Sequence, residues 1–367
     1  MSILKISLNS FRNHDFIELD FSRGLTVIWG DNGSGKTSLL EAIHTLSLGK
    51  SFRTHTQKSL IKKGKKSFII KGEFFSYGSK DIVSAQHDGS GSGGIKLNGK
   101  QIQSRKELIG RNNVVVLSPE EQSITKGPPK ERRRFFDRLI STVSHDYLNT
   151  LQNYNRALKQ RNAALLKLKE SPTRYQETAI WDKQLVELGT KLWSLRIENI
   201  NQYSQWLSKL VSEYSEKIEI KVLYNKKRQT RQEYYNNLVK HKNKDEVFCT
   251  TGYGPHRDDI GVFFENKNLR DLGSQGEHKL SLIFLKLGEM CYVKEKTGAF
   301  PILLLDDLFA KLDLKRSKEL VFLLNNLETD SGEPVQIIVT TTDMLNIEKS
   351  GMFSEQKEIK THRFIRR

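Results

Sequence analysis

The chain has few cysteines, few prolines and no long apolar run, and each shortage excludes a class of protein. Its two cysteines, Cys249 and Cys291, lack the spacing of a disulfide framework or a metal centre, so we expect reduced thiols. No apolar stretch approaches the ~20 residues that span a bilayer. The segment MSILKISLNS also lacks a secretory pattern. We therefore expect a cytoplasmic protein with no membrane partner.

Acidic residues are also scarce relative to basic ones. The 367 residues include 60 Lys and Arg but only 43 Asp and Glu, which gives a net charge of +17 and favours a polyanionic partner. A single basic run is usually a solvated face, but three runs occur here. Because no base-reading module is present, we expect contacts to DNA phosphates rather than to bases. The predicted DNA contacts are Lys62, Lys63, Lys65 and Lys66, and secondarily Arg132, Arg133 and Arg134.

A phosphate-binding loop stands near the start of the chain. Residues 30–37 read GDNGSGKT and match G-x-x-x-x-G-K-[ST] in full. A predicted hairpin over 3–21 and a short buried strand over 25–29 precede the loop, and a helical pattern follows it. Main-chain N–H groups and a helix N-terminus would cradle a polyphosphate there. The predicted ATP contacts are Gly30, Asp31, Asn32, Gly33, Ser34, Gly35, Lys36, Thr37 and Ser38.

An apolar strand over 301–305 ends in a pair of carboxylates. Asp306 is placed to hold Mg²⁺ together with the hydroxyl of Thr37. The next carboxylate, Asp307, would orient or deprotonate the attacking water, while Lys36 would bind the β and γ phosphates. Asp307 and Lys36 are thus the predicted catalytic residues. A final strand over 336–339 runs into three threonines whose hydroxyls could sense the γ phosphate.

A helical segment separates these two halves. Apolar residues recur at helical spacing over 147–168 and over 181–195, with a break at Ser171–Pro172. We predict an α/β ATPase head, a mixed sheet with helices, into which a mainly helical lobe is inserted. The head would comprise residues 1–118 and 245–367, and the helical lobe 119–244 with a short antiparallel helix pair. The pattern does not separate a packed bundle from a short coiled stalk.

A second small-residue turn, within DLGSQGEHKL at 271–280, opens a predicted apolar helix. A helix N-terminus of this kind is itself an anion site, and the chain already has its own phosphate loop. We predict that Ser274, Gln275 and Gly276 contact the γ phosphate held by a second copy, so that ATP drives homodimerisation. The alternative is a simple capped helix start.

Together these motifs resemble the RecF family of bacterial recombination-repair ATPases, which is related to SMC proteins. The resemblance rests on blocks spread over nearly the full length, of which GPHRDDI and the Ser-Gln-Gly turn are the most specific. These blocks are FRN at 11–13, GDNGSGKTSLLEAI at 30–43, SFR at 51–53, SPEE at 118–121, KGPPKERRRFFD at 126–137, RNAAL at 161–165, GPHRDDI at 254–260 and LLLDDLFAKLD at 303–313.

The resemblance implies a weak, DNA-stimulated ATPase that acts as a switch with ATP and Mg²⁺. It implies binding to double-stranded and gapped DNA, cooperation with RecR and RecO, indirect support of RecA loading, and a nucleoid-associated location. It also places Arg12, Arg53 and Asp313 near the nucleotide. Transport ABC ATPases usually have Glu at the position of Asp307, and the family commonly has Gln at the position of Glu277.

Two other classes stay open at this point. One is a P-loop enzyme or transport ATPase in which DNA has no part, which the charge and the helical insertion disfavour. The other is an SMC-like nuclease component of a defence system, which would need a further acidic cluster. The sequence predicts an ATP-gated DNA-binding repair protein over both alternatives.

Overall fold

The computed structural model describes residues 1–54, 56–170, 175–309, 313–325, 327, 335–354 and 358–365. The chain divides into two compact units. The head unit consists of Met1–Gln122 and Leu285–Arg367, and the inserted unit of Ser123–Phe284. In the described ranges, no helix combines the length and apolarity needed to cross a membrane.

The strands are β1 (Ser2–Phe11), β2 (His14–Asp20), β3 (Leu25–Gly30), β4 (Ser67–Ser76), β5 (Ser79–Asp88), β6 (Gly93–Leu97), β7 (Lys100–Gln101), β8 (Val114–Leu117), β9 (Ile220–Leu223), β10 (Gly261–Phe264), β11 (Lys267–Asn268), β12 (Ile302–Asp306), β13 (Ile337–Thr341) and β14 (Ile359–Phe364). The helices are α1 (Lys36–Leu48), α2 (Ser123–Lys126), α3 (Pro129–Val143), α4 (His145–Glu170), α5 (Tyr175–Tyr214), α6 (Arg231–Phe248), α7 (Leu269–Leu272), α8 (Gln275–Thr297), α9 (Leu314–Asn325) and α10 (Met344–Lys349).

The head unit contains two sheets, and helix α1 packs against both of them. One sheet is antiparallel in the order β2-β1-β4-β5-β6-β7, and the other is parallel in the order β14-β3-β13-β12-β8. Nearly every residue of α1 is buried, because its apolar side chains belong to one core with side chains from both sheets. The burial extends to polar residues of the helix, among them Lys36, Glu41 and His44, so α1 has no solvent-exposed polar face.

The parallel sheet determines where the functional residues meet. Its strands β3, β12 and β13 are almost continuously apolar, as expected for strands covered on both faces. In the sheet, β13 lies between β3 and β12, so the end of the phosphate-loop strand and the end of the acidic strand are one strand apart. The carboxyl ends of parallel strands meet at one edge, which is the usual position of a ligand site.

Two long helices dominate the inserted unit. Three side-chain pairs join α4 to α5: Lys191 with Asp146, Arg196 with Tyr147, and Arg161 with Asp182. The pairs at the start of α4 reach later residues of α5 than the pair made by Arg161, so the two helices run antiparallel. α5 continues to Tyr214, well beyond the predicted pattern. The predicted break at Ser171–Pro172 lies outside the described residues.

The observed division of the chain differs from the predicted one at its second boundary. The first boundary, at 122/123, lies close to the predicted 118/119, but the second lies at 284/285 rather than 244/245. The physical reason is strand pairing, because β10 pairs antiparallel with β9 within the inserted unit. The Ser-Gln-Gly turn therefore belongs to the inserted unit and not to the head.

The GPHRDDI segment anchors a buried polar network in the inserted unit. Asp258 accepts hydrogen bonds of 2.5 Å from the Trp193 indole and from the Tyr224 hydroxyl. Arg196, whose side chain is 1% exposed, donates to the main-chain oxygen of Pro255 over 2.9 Å and to Asp137 over 2.9 Å. The motif thereby ties the loop before β10 to α3 and α5.

Replacing Arg196 with Met should destabilise the protein by about 3 kcal/mol, because it removes a buried cation from the partly buried carboxylates of Asp137 and Asp258. Replacing Lys191 with Met on the same helix removes an exposed pair with Asp146 and should cost about 1 kcal/mol or less. Urea unfolding measured by circular dichroism compares the two variants. Equal, small losses in both would show that the buried network does not stabilise this unit.

Candidate nucleotide-binding site

The phosphate loop connects β3 to α1 at the carboxyl edge of the parallel sheet. Its conformation requires glycine at Gly35, which has a φ of 101°. A Cβ at that position would lie 2.3 Å from Nε2 of His14. The main-chain N–H groups of this turn and of the first turn of α1 have no helical partners by position, which makes them donors for an anion.

Lys36 is buried within the loop. Its ammonium donates to the main-chain oxygens of Gly30 over 2.6 Å and of Asp31 over 2.9 Å. Burial lowers the pKa of Lys36, and the carboxylates of Asp307, Asp306 and Asp31 oppose that shift. The loop thus holds a positive charge among its own carbonyl groups.

Asp306 joins the two halves of the site. Its Oδ1 accepts hydrogen bonds of 2.8 Å from the hydroxyl of Thr37 and of 2.8 Å from the hydroxyl of Thr340. Asp306 is 4% exposed, and burial raises the pKa of its carboxyl group while the two hydroxyl bonds oppose that change. The structure brings together the two predicted metal ligands, Thr37 and Asp306, and adds Thr340 as an orienting hydroxyl.

These two oxygen donors fit a magnesium ion. Hydroxyl and carboxylate oxygens are hard ligands, and Mg²⁺ is typically held by one or two protein groups while phosphates and water complete its octahedron. Within the described ranges no cluster of three or more His, Cys, Asp or Glu side chains could hold a metal. The site therefore suits an ion that arrives with a polyphosphate.

Asp307 has an uncommon backbone and an unsatisfied carboxylate. Its φ is 49°, and its N–H donates to the main-chain oxygen and to the hydroxyl of Thr340, each over 3.1 Å. Its Oδ1 is buried and has no hydrogen-bond partner in the protein. A left-handed conformation outside glycine costs of order 1–3 kcal/mol and is concentrated at functional sites. This orphaned oxygen is placed to accept a hydrogen bond from a water molecule.

A cavity of about 450 Å³ opens over these groups. It is lined by Arg12, Asn13, Asn32, Gly33, Gly35, Lys36, Thr37, Ser38, Arg53, Ser59, Ile61 and Asp307. Predicted residues from the phosphate loop, the acidic strand and the FRN and SFR segments therefore line one space, although they lie far apart in the sequence.

Sequence reasoning missed the groups that fix the rim of this cavity. Glu41 is fully buried on α1 and accepts two hydrogen bonds from Arg12, of 2.7 and 2.6 Å. Arg53 also approaches Glu41, at 3.9 Å. The helical pattern over α1 did not single out Glu41 as a functional residue. Only its contact with Arg12 in the folded structure distinguishes it.

The hairpin turn between β1 and β2 supports the loop from the other side. Asn13 donates to the main-chain oxygen of Gly33 over 3.1 Å, and Nε2 of His14 lies 3.1 Å from the main-chain oxygen of Gly35. Burial lowers the pKa of His14, which favours the neutral ring. The FRN block thus positions the phosphate loop in addition to contributing Arg12.

The Ser-Gln-Gly turn forms a helix cap with free donors. The N–H of Ser274 donates to Glu277 over 2.7 Å, and the N–H of Glu277 donates to the Ser274 hydroxyl over 3.3 Å, which closes a capping box at the start of α8. Ser274 and Gln275 are exposed and Gly276 is half-buried. The bond to the Ser274 N–H lowers the pKa of Glu277, which explains the glutamate at this position as a cap partner.

The arginine run is largely internal rather than a DNA surface. Arg132 is 3% exposed and binds Asp259 through three hydrogen bonds of 2.8 to 3.0 Å, and Arg133 donates to the main-chain oxygen of Asp258. Only Arg134 of the predicted three is exposed. Arg132 and Arg133 are corrected to structural residues, since the guanidinium group of Arg132 binds the Asp259 carboxylate and that of Arg133 binds the main-chain oxygen of Asp258.

The remaining predicted nucleotide residue, Asp313, is exposed at the start of α9, where its carboxylate accepts from the N–H of Arg316 over 2.9 Å. Its neighbours Lys311 and Leu312 lie outside the described residues. The structure therefore shows Asp313 as a helix cap.

Comparison with known proteins agrees with this geometry. A family model described as RecF/RecN/SMC N terminal domain matches residues 2–362. A DNA replication and repair protein RecF from Clostridium novyi is 33% identical over 356 residues, covering 95% of this chain and 94% of that protein. The chain belongs to the RecF family. A RecF from Lachnospira eligens is 34% identical over 347 residues, covering 94% of this chain and 93% of that protein.

Solved RecF structures confirm the predicted fold. The recombination mediator protein RecF-ATP of the RecFOR pathway has a TM-score of 0.86 at 29% identity, covering 98% of this chain and 95% of that one. The RecF-ATPrS structure has a TM-score of 0.84 at 30% identity, covering 94% and 93%. An Smc head domain derived from Pyrococcus furiosus, with a TM-score of 0.57 at 16% identity, shares the fold alone.

In this RecF family member, Asp307→Asn should still bind ATP but hydrolyse it about 10²- to 10⁴-fold more slowly, because the amide cannot take a proton from water. Lys36→Ala should instead weaken ATP binding by roughly tenfold to a hundredfold, because it removes the charged donor. Equilibrium titration with a fluorescent ATP analogue and single-turnover hydrolysis separate the two effects. Wild-type hydrolysis by Asp307→Asn would remove Asp307 from the catalytic step.

Proposed function

We propose that this chain is an ATP-dependent DNA-binding repair protein that dimerises when it binds ATP. Dimers would bind duplex DNA near single-strand gaps and support RecA loading together with RecO and RecR. The observation that carries the nucleotide part is the convergence of Thr37, Asp306 and Asp307 beside the Lys36 ammonium. Membership in a family of DNA replication and repair proteins supports the DNA part.

The residues of the head unit would divide the work of phosphoryl transfer. The loop N–H groups and Lys36 bind the β and γ phosphates, and Thr37 with Asp306 would hold Mg²⁺. Mg²⁺, when bound, neutralises charge on the phosphates during transfer. Asp307 orients the attacking water through its unpartnered oxygen. An aspartate reaches less far than the glutamate of transport ATPases, which favours slow turnover and a switch role.

The Ser-Gln-Gly turn would complete the site of a partner copy. The hydroxyl of Ser274 accepts from Glu277, so its own hydrogen remains to donate to a γ phosphate. The N–H groups of Gln275 and Gly276 lie in the first helical turn, where helix geometry provides no internal acceptor.

DNA would be held mainly through its phosphates. The groove lined by Lys62, Lys63, Lys65 and Lys66 is our first candidate for that contact, and Arg134 is a second point of positive charge. The RecF-ATP and RecF-ATPrS structures are of recombination mediator proteins in the RecFOR pathway, which supports RecR and RecO as partners of this chain as well.

Ser274→Arg should leave ATP binding by the monomer nearly intact while abolishing ATP-dependent dimers, because the long side chain occupies the approach to the γ phosphate. Ser274→Asp is the sharper variant. Aspartate is as good a helix cap as serine, but its charge repels phosphate. Light scattering with ATP measures both variants. Normal dimers from Ser274→Asp would show that the turn is a helix cap only.

Mixing variants tests whether the defect acts between copies. Ser274→Arg combined with Lys36→Ala should restore one composite site per heterodimer, made of one intact loop and one intact turn. Dimers should then reappear in the mixture at an ATP concentration that fills the wild-type site but not that of Lys36→Ala, and at which neither variant dimerises alone. Failure of the mixture, with both variants folded and Ser274→Arg binding ATP, would place the turn outside the partner's site.

Duplex DNA should stimulate ATP hydrolysis, and its affinity should fall steeply with salt while varying little with base sequence. Steady-state hydrolysis with and without a gapped duplex, and anisotropy titrations at several salt concentrations, measure these effects. An unrelated duplex of equal length is the control for sequence. If DNA changes neither hydrolysis nor dimer formation, the proposed ATP-dependent DNA-binding function is contradicted.

A further inference from the structure

One short segment of the head unit forms a wall shared by two cavities. Ser59 and Ile61 line the nucleotide cavity. Lys58 and Ile61 line a second cavity of about 510 Å³, together with the residues that follow them up to Lys66. Ile61 therefore borders both spaces. A ligand that displaces this segment from within one cavity would therefore also change the shape of the other cavity.

The second cavity, which we call the lysine groove, is strongly basic. Its lining is Lys58, Ile61, Lys62, Lys63, Gly64, Lys65, Lys66, Asp88, Gly89 and Ser90. Lys62 and Lys65 approach Asp15, at 2.6 and 3.8 Å. In the described part of the chain, Lys58, Lys63 and Lys66 have no carboxylate partner, and all three are exposed. The groove thus retains a surplus of positive charge that suits closely spaced phosphates.

Main-chain bonds fasten this wall to the end of β1. The N–H of Arg12 donates to the main-chain oxygen of Leu60 over 2.7 Å, and the N–H of Lys62 donates to that of Ser10 over 2.9 Å. The Arg12 side chain also donates to the main-chain oxygen of Ser59 over 2.9 Å while it holds Glu41. A shift of the wall therefore moves the arginine at the rim of the nucleotide cavity.

The backbone at this junction is strained. Ser10 and Arg12 have φ values of 53° and 54°, a region that side chains other than glycine rarely occupy. Strain of this kind persists only where the surroundings enforce it, and it is typical of switch regions. The end of β1 is therefore a suitable element to respond to both cavities.

We propose that phosphates of the DNA backbone occupy the lysine groove, and that the Ser59–Lys62 wall couples the groove to the ATP site through Arg12. This inference rests on the proposed function, takes the groove named there as the DNA subsite, and adds the route by which that subsite is regulated. Coupling of two sites is reciprocal, so bound ATP raises DNA affinity by the same factor by which bound DNA raises ATP affinity.

The test measures binding of a labelled duplex to the full chain by anisotropy, with and without a non-hydrolysable ATP analogue. In the wild type the analogue should tighten duplex binding by about fivefold or more. Lys63→Glu with Lys66→Glu should weaken duplex binding by roughly tenfold or more and lower the salt slope by about 2. Lys240→Glu with Lys244→Glu, an exposed pair on α6 with the same change of charge, should retain wild-type binding.

A second variant isolates the wall from the groove. Ile61→Ala should lose most of the enhancement by the analogue, taken as the ratio of duplex affinities with and without it, whereas Ile61→Val should keep that ratio. Thermal melting checks that both variants are folded. Full enhancement in Ile61→Ala would overturn the coupling route, and wild-type binding by the groove pair would overturn the DNA subsite while leaving the proposed function standing.

Two further outcomes are decisive. A wild-type protein that binds no duplex contradicts the proposed function itself, and with it this inference. A poly-glutamate chain that displaces the duplex at equal charge would assign the groove to an acidic protein instead of to phosphates. Competition that requires an excess of poly-glutamate supports the assignment to the DNA backbone.

Discussion

The bond between the Thr37 hydroxyl and the Asp306 carboxylate is the contact on which the site depends. It joins residues 269 positions apart, so it exists only because the parallel sheet brings β3 and β12 to the same edge. Thr340, on the strand between them, shares the same carboxylate oxygen. A buried carboxylate with two hydroxyl donors has one orientation, and that orientation fixes where a metal and its phosphates would be held.

The inserted unit is stabilised by a different kind of interaction. Its centre is a network of buried charges in which Asp258 and Arg196 each serve several partners. Such networks are costly to bury unless every member is satisfied, and satisfied networks specify one arrangement of the helices around them. The GPHRDDI segment therefore stabilises the inserted unit, which also carries the Ser-Gln-Gly turn.

Basic residues of similar appearance have separate roles in this chain. Arg132 binds the carboxylate of Asp259 and Arg133 the main-chain oxygen of Asp258 within the inserted unit, whereas Lys63 and Lys66 remain exposed in the lysine groove. In the sequence both groups read as runs of positive charge. A basic side chain that is buried against an acceptor stabilises the fold, whereas an exposed one can still bind a phosphate.

The sequence alone determined the phosphate loop, the acidic strand and the helical insertion, because each depends on residues that are close in the chain and on a local period or turn. Tertiary structure decided what depends on partners remote in sequence: that Glu41 holds Arg12, that β10 pairs with β9 and moves the unit boundary, and that Ile61 borders two cavities. Local patterns record backbone preference and apolar faces, whereas these contacts arise only when distant segments pack against one another.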